Sequence, residues 1–241
     1  MSEGNGIRKT VLVIMDGVGL APESKAHGDA VRAAKTPVLD HLFATCPHTH
    51  IKAHGVAVGL PGDGDMGNSE VGHNALGSGQ IYAQGAKLVN KSIASGRIFA
   101  SDTWKALVDQ VKTHNGTLHF LGLLSDGNVH SNISHLKALI KEAKAEGVAK
   151  VRVHALLDGR DVPPTSGMEY IEDMENFFSG LRDADFDVCF ASGGGRMSIT
   201  MDRYKADWGM VHRGWQTHVL GEGRQFASAA EAYNALREET G

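Results

Sequence analysis

Three apolar runs, Thr117-Leu-His-Phe-Leu-Gly-Leu-Leu124, Lys150-Val-Arg-Val-His-Ala-Leu-Leu157 and Asp187-Val-Cys-Phe-Ala191, constrain this chain most. Each is strand-length, and amphipathic stretches of helical period lie between them. Residues 133–146 place Ile133, Leu136, Ile140 and Ala143 on one stripe and close at Gly147. Residues 164–181 do the same with Met168, Ile171, Met174 and Phe178. Residues 102–112 form a preceding helix with Trp104, Leu107, Val108 and Val111 on one face. Strands alternating with helices of this length predict an α/β fold, a mostly parallel sheet with helices on both faces.

A parallel sheet puts the loops after its strands along one edge, where ligands bind. The three loops here are Ser125-Asp-Gly-Asn-Val-His130-Ser-Asn, Asp158-Gly-Arg160-Asp161-Val-Pro-Pro, and Ser192-Gly-Gly-Gly-Arg196 followed by Met201-Asp-Arg203. That edge gathers His130, Arg160, Asp161, Arg196 and Arg203. Guanidinium groups in a Gly-rich crevice suit a phosphate or carboxylate, which they bind bidentately. A His and an Asp beside them suit proton transfer. One such loop alone is ordinary turn chemistry; three in succession point to a site.

Upstream lies Gly59-Leu-Pro-Gly-Asp-Gly-Asp-Met-Gly-Asn-Ser69-Glu-Val-Gly-His-Asn, a Gly-rich bend leading into a short helix at Ser69. Ser69 reads either as the N-cap of that helix or as a nucleophile with helix N–H groups facing the anion it attacks. Residues 10–16, Thr-Val-Leu-Val-Ile-Met-Asp, read as a buried parallel strand with Asp16 at its carboxyl end, placed to ligate a metal or act as a base, or else to cap the next turn. A helix opens at Thr36-Pro37, and residues 48–53 read as a strand. Alternating His48, His50 and His54 invite a metal-site reading, but one solvated strand face explains them better. Further helices are expected over 85–99, from Tyr204 onward and over 227–237.

The formal charge of −4 argues against a general nucleic-acid binder. Cys46 and Cys189 stand in no metal-binding spacing, so reduced thiols and a cytoplasmic location are expected. No apolar run approaches membrane-span length, and the first residues lack an apolar signal core.

Five motifs in order, Leu12-Val-Ile-Met-Asp16-Gly-Val-Gly, Met66-Gly-Asn-Ser69-Glu-Val-Gly-His-Asn, Ser125-Asp-Gly-Asn-Val-His130-Ser, Asp158-Gly-Arg-Asp161-Val-Pro-Pro and Gly195-Arg196 with Met-Asp-Arg203-Tyr, resemble the cofactor-independent (2,3-bisphosphoglycerate-independent) phosphoglycerate mutases. The Gly-Gly-Gly-Arg196 form is closer to plant- and trypanosomatid-like members. The resemblance implies an alkaline-phosphatase-like segment over residues 1–84 and an inserted α/β transferase domain from 85 to 241, incomplete here. It implies two divalent metal ions (Mn²⁺ or Mg²⁺) and no bisphosphoglycerate. Asp16 and Ser69 would meet metal, with Ser69 as nucleophile. His130, Arg160, Asp161, Arg196 and Arg203 would bind 3- or 2-phosphoglycerate. Family members are longer and carry further metal ligands downstream. The expectation is therefore an N-terminal portion, or half of a split enzyme whose C-terminal half is another chain, with little or no mutase activity alone. Two other classes stay open: a metal-dependent phosphatase or phosphopentomutase-like relative, against which the transferase-domain motifs argue, and a non-catalytic chain that binds phosphoglycerate or a partner subunit, whose premise is the missing metal ligands.

Overall fold

The computed structural model describes residues 9–15, 17–19, 21–201 and 205–240. The chain forms two compact units, Met1–Ile51 and Lys52–Gly241. In the first, Asp29 caps helix α1 (Ala30–Ala33), its carboxylate accepting from the Arg32 N–H at 2.9 Å. Pro37 opens helix α2 (Pro37–Thr45) at the position where a missing N–H costs nothing. The strand expected over residues 10–16 does not form: Thr10–Met15 pair with no strand among the described residues, and Val11 is 85% exposed. Residues 48–53 likewise form no strand, and His48, His50 and His54 are exposed. A strand exists only through the neighbour that takes its N–H and C=O groups, which an apolar run cannot supply for itself.

The second unit begins with a 3₁₀ turn (Gly55–Val58), helix α3 (Ser69–Ser78) and helix α4 (Gly85–Ala94). Helix α4 is shorter than the expected 85–99, because Gly96 turns the chain with φ 73°. Helix α5 (Asp102–Thr113) leads to strand β1 (Leu118–Leu124), helix α6 (Ile133–Ala145), strand β2 (Lys150–Leu157), helix α7 (Gly167–Leu181) and strand β3 (Asp187–Gly195). Helix α8 (Trp208–Trp215) runs into a π-helical turn (Gln216–Leu220), and α9 (Ala229–Thr240) packs on α7.

The sheet is parallel with order β1-β2-β3. Alternation sets its faces. Leu118, Leu124, Val151, Val153, Ala155 and Val188 point into one core with Trp104 and Val108 of α5, Ile140 and Ala143 of α6, and Ile171, Met174 and Phe178 of α7. These are the apolar stripes the sequence predicts, except that Leu107 of α5 is 42% exposed. No helix among the described residues is long and apolar enough to cross a membrane.

The opposite face, where a second helical layer was expected, is open at Leu121, which is 55% exposed. It carries a polar ladder. His119 Nδ1 lies 2.9 Å from His154 Nε2, His154 Nδ1 lies 2.6 Å from Ser192 Oγ, and that oxygen lies 2.7 Å from His218 Nδ1 in the π turn. His218 Nε2 is buried without a partner among the described residues. An orphan N–H there costs more than an orphan lone pair. The favoured proton order therefore runs from His218 Nδ1–H to Ser192, from the Ser192 O–H to His154 Nδ1, and from His154 Nε2–H to His119.

Burial lowers the pKa of His154 and His218, and the two neighbouring imidazoles lower that of His154 further. Arg152, a cation on the same face, is paired with Asp187. The unfolded chain therefore binds protons that the folded chain refuses once pH falls below the ordinary imidazole value of about 6.5. Stability is expected to be level from pH 8 to 7 and to fall as pH drops from 6.5 toward 5. Urea unfolding at each pH checks this, and a His154→Gln variant should show a shallower fall.

Candidate functional site

Strand register builds the centre of the site. Leu157 of β2 pairs with Gly195 of β3, so the next residues, Asp158 and Arg196, leave the sheet side by side. The Arg196 N–H extends the ladder to the Leu157 carbonyl at 2.9 Å. β3 runs past the expected Ala191 because glycines follow. A Cβ on Gly193 would sit 2.9 Å from the Ala155 carbonyl oxygen. A bulge between Val153 and His154 leaves Ala191 as one extra residue on β3, two residues before that glycine run.

Arg196 is 4% exposed. Its Nη1 donates to Asp158 Oδ1 and to Asp161 Oδ2, each at 2.8 Å. Its Nε and Nη2 groups have no partner among the described residues. Asp158 is just as buried and fully used. It accepts from Ser125 Oγ at 2.6 Å and from the Arg160 and Asp161 backbone N–H groups at 3.3 and 3.1 Å. Burial pushes its pKa up. The hydrogen bonds from Ser125, Asp161, Arg196 and Arg160 outweigh this and hold it below the ordinary carboxylate value. For Arg196 the balance is the mirror image: burial works against the charge, and the two aspartates hold it on.

His130 lies at the rim with Nε2 3.9 Å from Asp161 Oδ2. Arg160 is exposed, and its guanidinium pairs with nothing among the described residues. The loop after β1 is anchored by the Tyr170 hydroxyl, which donates to Asp126 Oδ1 at 2.6 Å; burial and that carboxylate push the Tyr170 pKa up to about 12. The structure thus brings His130, Asp161 and Arg196 into one chain of contacts, with Arg160 on the same turn. Arg203 and Asp16 lie outside the described residues.

The helix at Ser69 is capped by Asn68, whose Oδ1 accepts from the Val71 N–H at 2.9 Å. Ser69 is instead the first residue of α3 and exposed, so the N-cap reading of Ser69 is corrected. Asn and Ser cap almost equally well, and only geometry distinguishes neighbours. Gln84, buried, braces this segment by donating from Nε2 to the Val58 and Val71 carbonyls at 2.9 and 3.2 Å. Sequence reasoning singled out Asp161 and passed over Asp158 and Ser125. The available signal was position, since both directly follow an apolar strand, as Asp16 follows its own apolar run.

Among the described residues no group of three or more His, Cys, Asp or Glu is arranged to hold a metal. Chemically, the described part of the site offers an anion two guanidiniums with N–H groups that have no partner among the described residues and a rim imidazole, with carboxylates that orient one arginine.

A profile described as the N-terminus of BPG-independent PGAM matches residues 89–240. The probable 2,3-bisphosphoglycerate-independent phosphoglycerate mutase of Leptospira interrogans is 56% identical over 232 residues, 96% of this chain and 42% of that protein. The 2,3-bisphosphoglycerate-independent phosphoglycerate mutase of Trypanosoma brucei brucei is 52% identical over 233 residues, again 96% of this chain and 42% of that protein. A crystal structure of Leishmania mexicana phosphoglycerate mutase at low cobalt concentration superposes with a TM-score of 0.78 at 48% identity, over 87% of this chain and 38% of that one. The chain therefore spans well under half the length of the relatives it matches.

Proposed function

Since the chain belongs to the BPG-independent phosphoglycerate mutase family, we propose that it supplies the phosphoglycerate-binding loops and the serine loop of an enzyme that interconverts 3-phosphoglycerate and 2-phosphoglycerate, a glycolytic isomerisation in the cytoplasm. The observation that carries this reading is the buried Arg196, oriented by two aspartates at the carboxyl edge of a parallel sheet, with Arg160 on the turn between those aspartates and its guanidinium pairing with nothing among the described residues. We assign residues 1–84 to a phosphatase-type segment and 85–241 to the transferase domain.

In the proposed reaction His130, Arg160, Asp161, Arg196 and Arg203 hold the substrate. Ser69 gives up its hydroxyl proton, and its Oγ attacks phosphorus and forms an Oγ–P bond as the bond from phosphorus to the C3 oxygen breaks. The C3 oxygen takes up a proton in exchange, and we assign the carrier role to His130, next to Asp161. The glycerate turns while the arginines keep its carboxylate; its 2-hydroxyl gives up its proton and takes the phosphoryl group as the Oγ–P bond breaks, and Ser69 Oγ regains a proton. Atoms balance without an added bisphosphoglycerate.

Asp16 and Ser69 are the residues we propose to face the divalent ions. The described residues by themselves do not amount to a metal site. These 241 residues alone are accordingly proposed to bind phosphoglycerate without turning it over.

Calorimetric titration with 3-phosphoglycerate tests the reading. Saturable binding is expected, and Arg160→Gln should weaken it roughly 10- to 100-fold, the loss of a charge-assisted hydrogen-bonded pair. No saturable binding would overturn the substrate assignment. Ser69-dependent turnover by these residues alone would overturn the division between binding and turnover.

A further inference from the structure

The loop carrying Ser69 and the loop after β1 are far apart in sequence, yet one side-chain hydrogen bond joins them. Asn128 Nδ2 donates to Asp65 Oδ1 at 2.7 Å. Asp65 stands four residues before Ser69 and Asn128 two residues before His130. We propose that Asp65 and Asn128 form a clasp that positions the serine loop against the substrate-binding loops and couples the two. The functional side of this inference rests on the phosphoglycerate reading above.

Both ends are prepared. Asp65 Oδ2 accepts from the Gly62 N–H at 2.6 Å, the Asp65 N–H donates to the Gly62 carbonyl at 3.1 Å, and the Gly55 N–H donates to the Asp65 carbonyl at 3.0 Å. The carboxylate therefore sits in a small knot of backbone that moves with the serine loop. Asn128 has φ 59°, a left-handed conformation that Asn tolerates better than most residues. Its backbone N–H donates to the Ser131 carbonyl at 3.1 Å, and its Oδ1 accepts from Asn132 Nδ2 at 2.7 Å. Asn132 is itself the N-cap of α6, its Oδ1 accepting from the Ser134 N–H at 2.8 Å.

The amide orientation is thereby fixed: turned over, Asn128 would set oxygen against the Asp65 carboxylate and nitrogen against the Asn132 amide. A neutral donor on a half-buried carboxylate is a charge-assisted bond, the stronger kind. Neither residue is needed to bind an anion, and Asp65 would repel one. Their chemistry suits holding two loops in register during a transfer in which the same phosphoryl group leaves one loop and returns.

The test is hydrogen exchange on the 241-residue chain with and without 3-phosphoglycerate. Without ligand, Asn128→Ala should speed exchange of the amides over 62–68 roughly tenfold, about the worth of the lost bond. Asn128→Asp should speed it further by facing two carboxylates. The exchanged pair Asp65→Asn with Asn128→Asp restores a donor and an acceptor, now running the other way. It should return exchange to within about twofold of the wild type, the residual set by the modest net worth of such a bond. Unchanged protection of β1, β2 and β3 shows that each variant is folded. With ligand, protection should spread from the arginine loops into 62–68 in the wild type and in the exchanged pair but stop short in Asn128→Ala. Single variants that leave 62–68 at wild-type exchange, or an exchanged pair no better than Asn128→Asp, would overturn the clasp. A ligand that protects nothing anywhere counts against the phosphoglycerate reading, while the ligand-free comparison still decides the clasp.

Discussion

Arg196→Met is expected to destabilise the chain by about 3–5 kcal/mol at pH 7, read from urea unfolding. That is the usual cost of breaking a buried ion pair by removing one partner. Asp158 cannot move to water when the guanidinium goes, because its side chain is 1% exposed and its oxygens are held by Ser125 and the turn backbone. Two carboxylates would then share a buried pocket that holds no cation, and one must take up a proton. In the wild type the hydrogen bonds that lower the Asp158 pKa add stability that is present above the ordinary carboxylate value and lost only as pH falls through the lower folded value. In the variant Ser125 and the turn N–H groups still hold Asp158, but the Arg196 hydrogen bond is gone and Asp158 and Asp161 face each other without its charge, which raises the pair relative to wild type. Relative to wild type the variant thus loses stability as pH rises through the carboxylate range. Its deficit should be largest at pH 7 and shrink toward pH 4.5, against the histidine effect that wild type and variant share. Replacing Arg196, Asp158 and Asp161 together by Met and Asn should cost less than Arg196→Met alone. Were the cluster merely packing, the triple variant would be the worst of the set.

The strands and helices from Asp102 to β3 were legible because each element meets its partners within that stretch. Leu118, Val151 and Val188 alternate for a core that the stripes of α5, α6 and α7 complete. Residues 10–15 and 48–53 carry strand-like sequences just as plainly, yet form none among the described residues. Apolar period records what a segment wants to bury, and pairing depends on a second segment. The site was legible as three loops on one edge, which put His130, Asp161 and Arg196 together as expected. Its internal order was not. That Arg196 faces Asp158 follows from the pairing of Leu157 with Gly195, and register across two strands cannot be read from either one. The same holds for Asn68 replacing Ser69 as helix cap, and for Asp65 meeting Asn128.

Gly59→Ala is expected to undo the serine segment while leaving the sheet intact. Gly59 has φ 89°, and a Cβ there would overlap the Tyr82 carbonyl oxygen. The left-handed backbone alone costs a side chain about 1–2 kcal/mol. The overlap is with main chain, which no rotamer change relieves, so Tyr82 and Gly59 must separate. That opening breaks the hydrogen bond from the Gln84 N–H to the Gly59 carbonyl, 3.1 Å long, and moves the side chain that ties Val58 to Val71. The local apolar cluster is only Val58, Leu60 and Val71, too small to absorb a cost of about 3 kcal/mol or more when one buried aliphatic side chain contributes about 1.5–3 kcal/mol. Local opening is therefore expected before global unfolding. Limited proteolysis should cut between residues 55 and 80 at least tenfold faster than in wild type, while amides of β1, β2 and β3 keep their protection. Gly79→Ala separates the two causes. Gly79 also has a left-handed backbone, φ 63°, but nothing lies within 4 Å of its Cβ position. It should show the conformational cost alone, a change of about 1 kcal/mol with little new cleavage. Equal effects at the two glycines would mean that backbone strain, rather than the crossing of Gly59 with Tyr82, holds the serine loop in place.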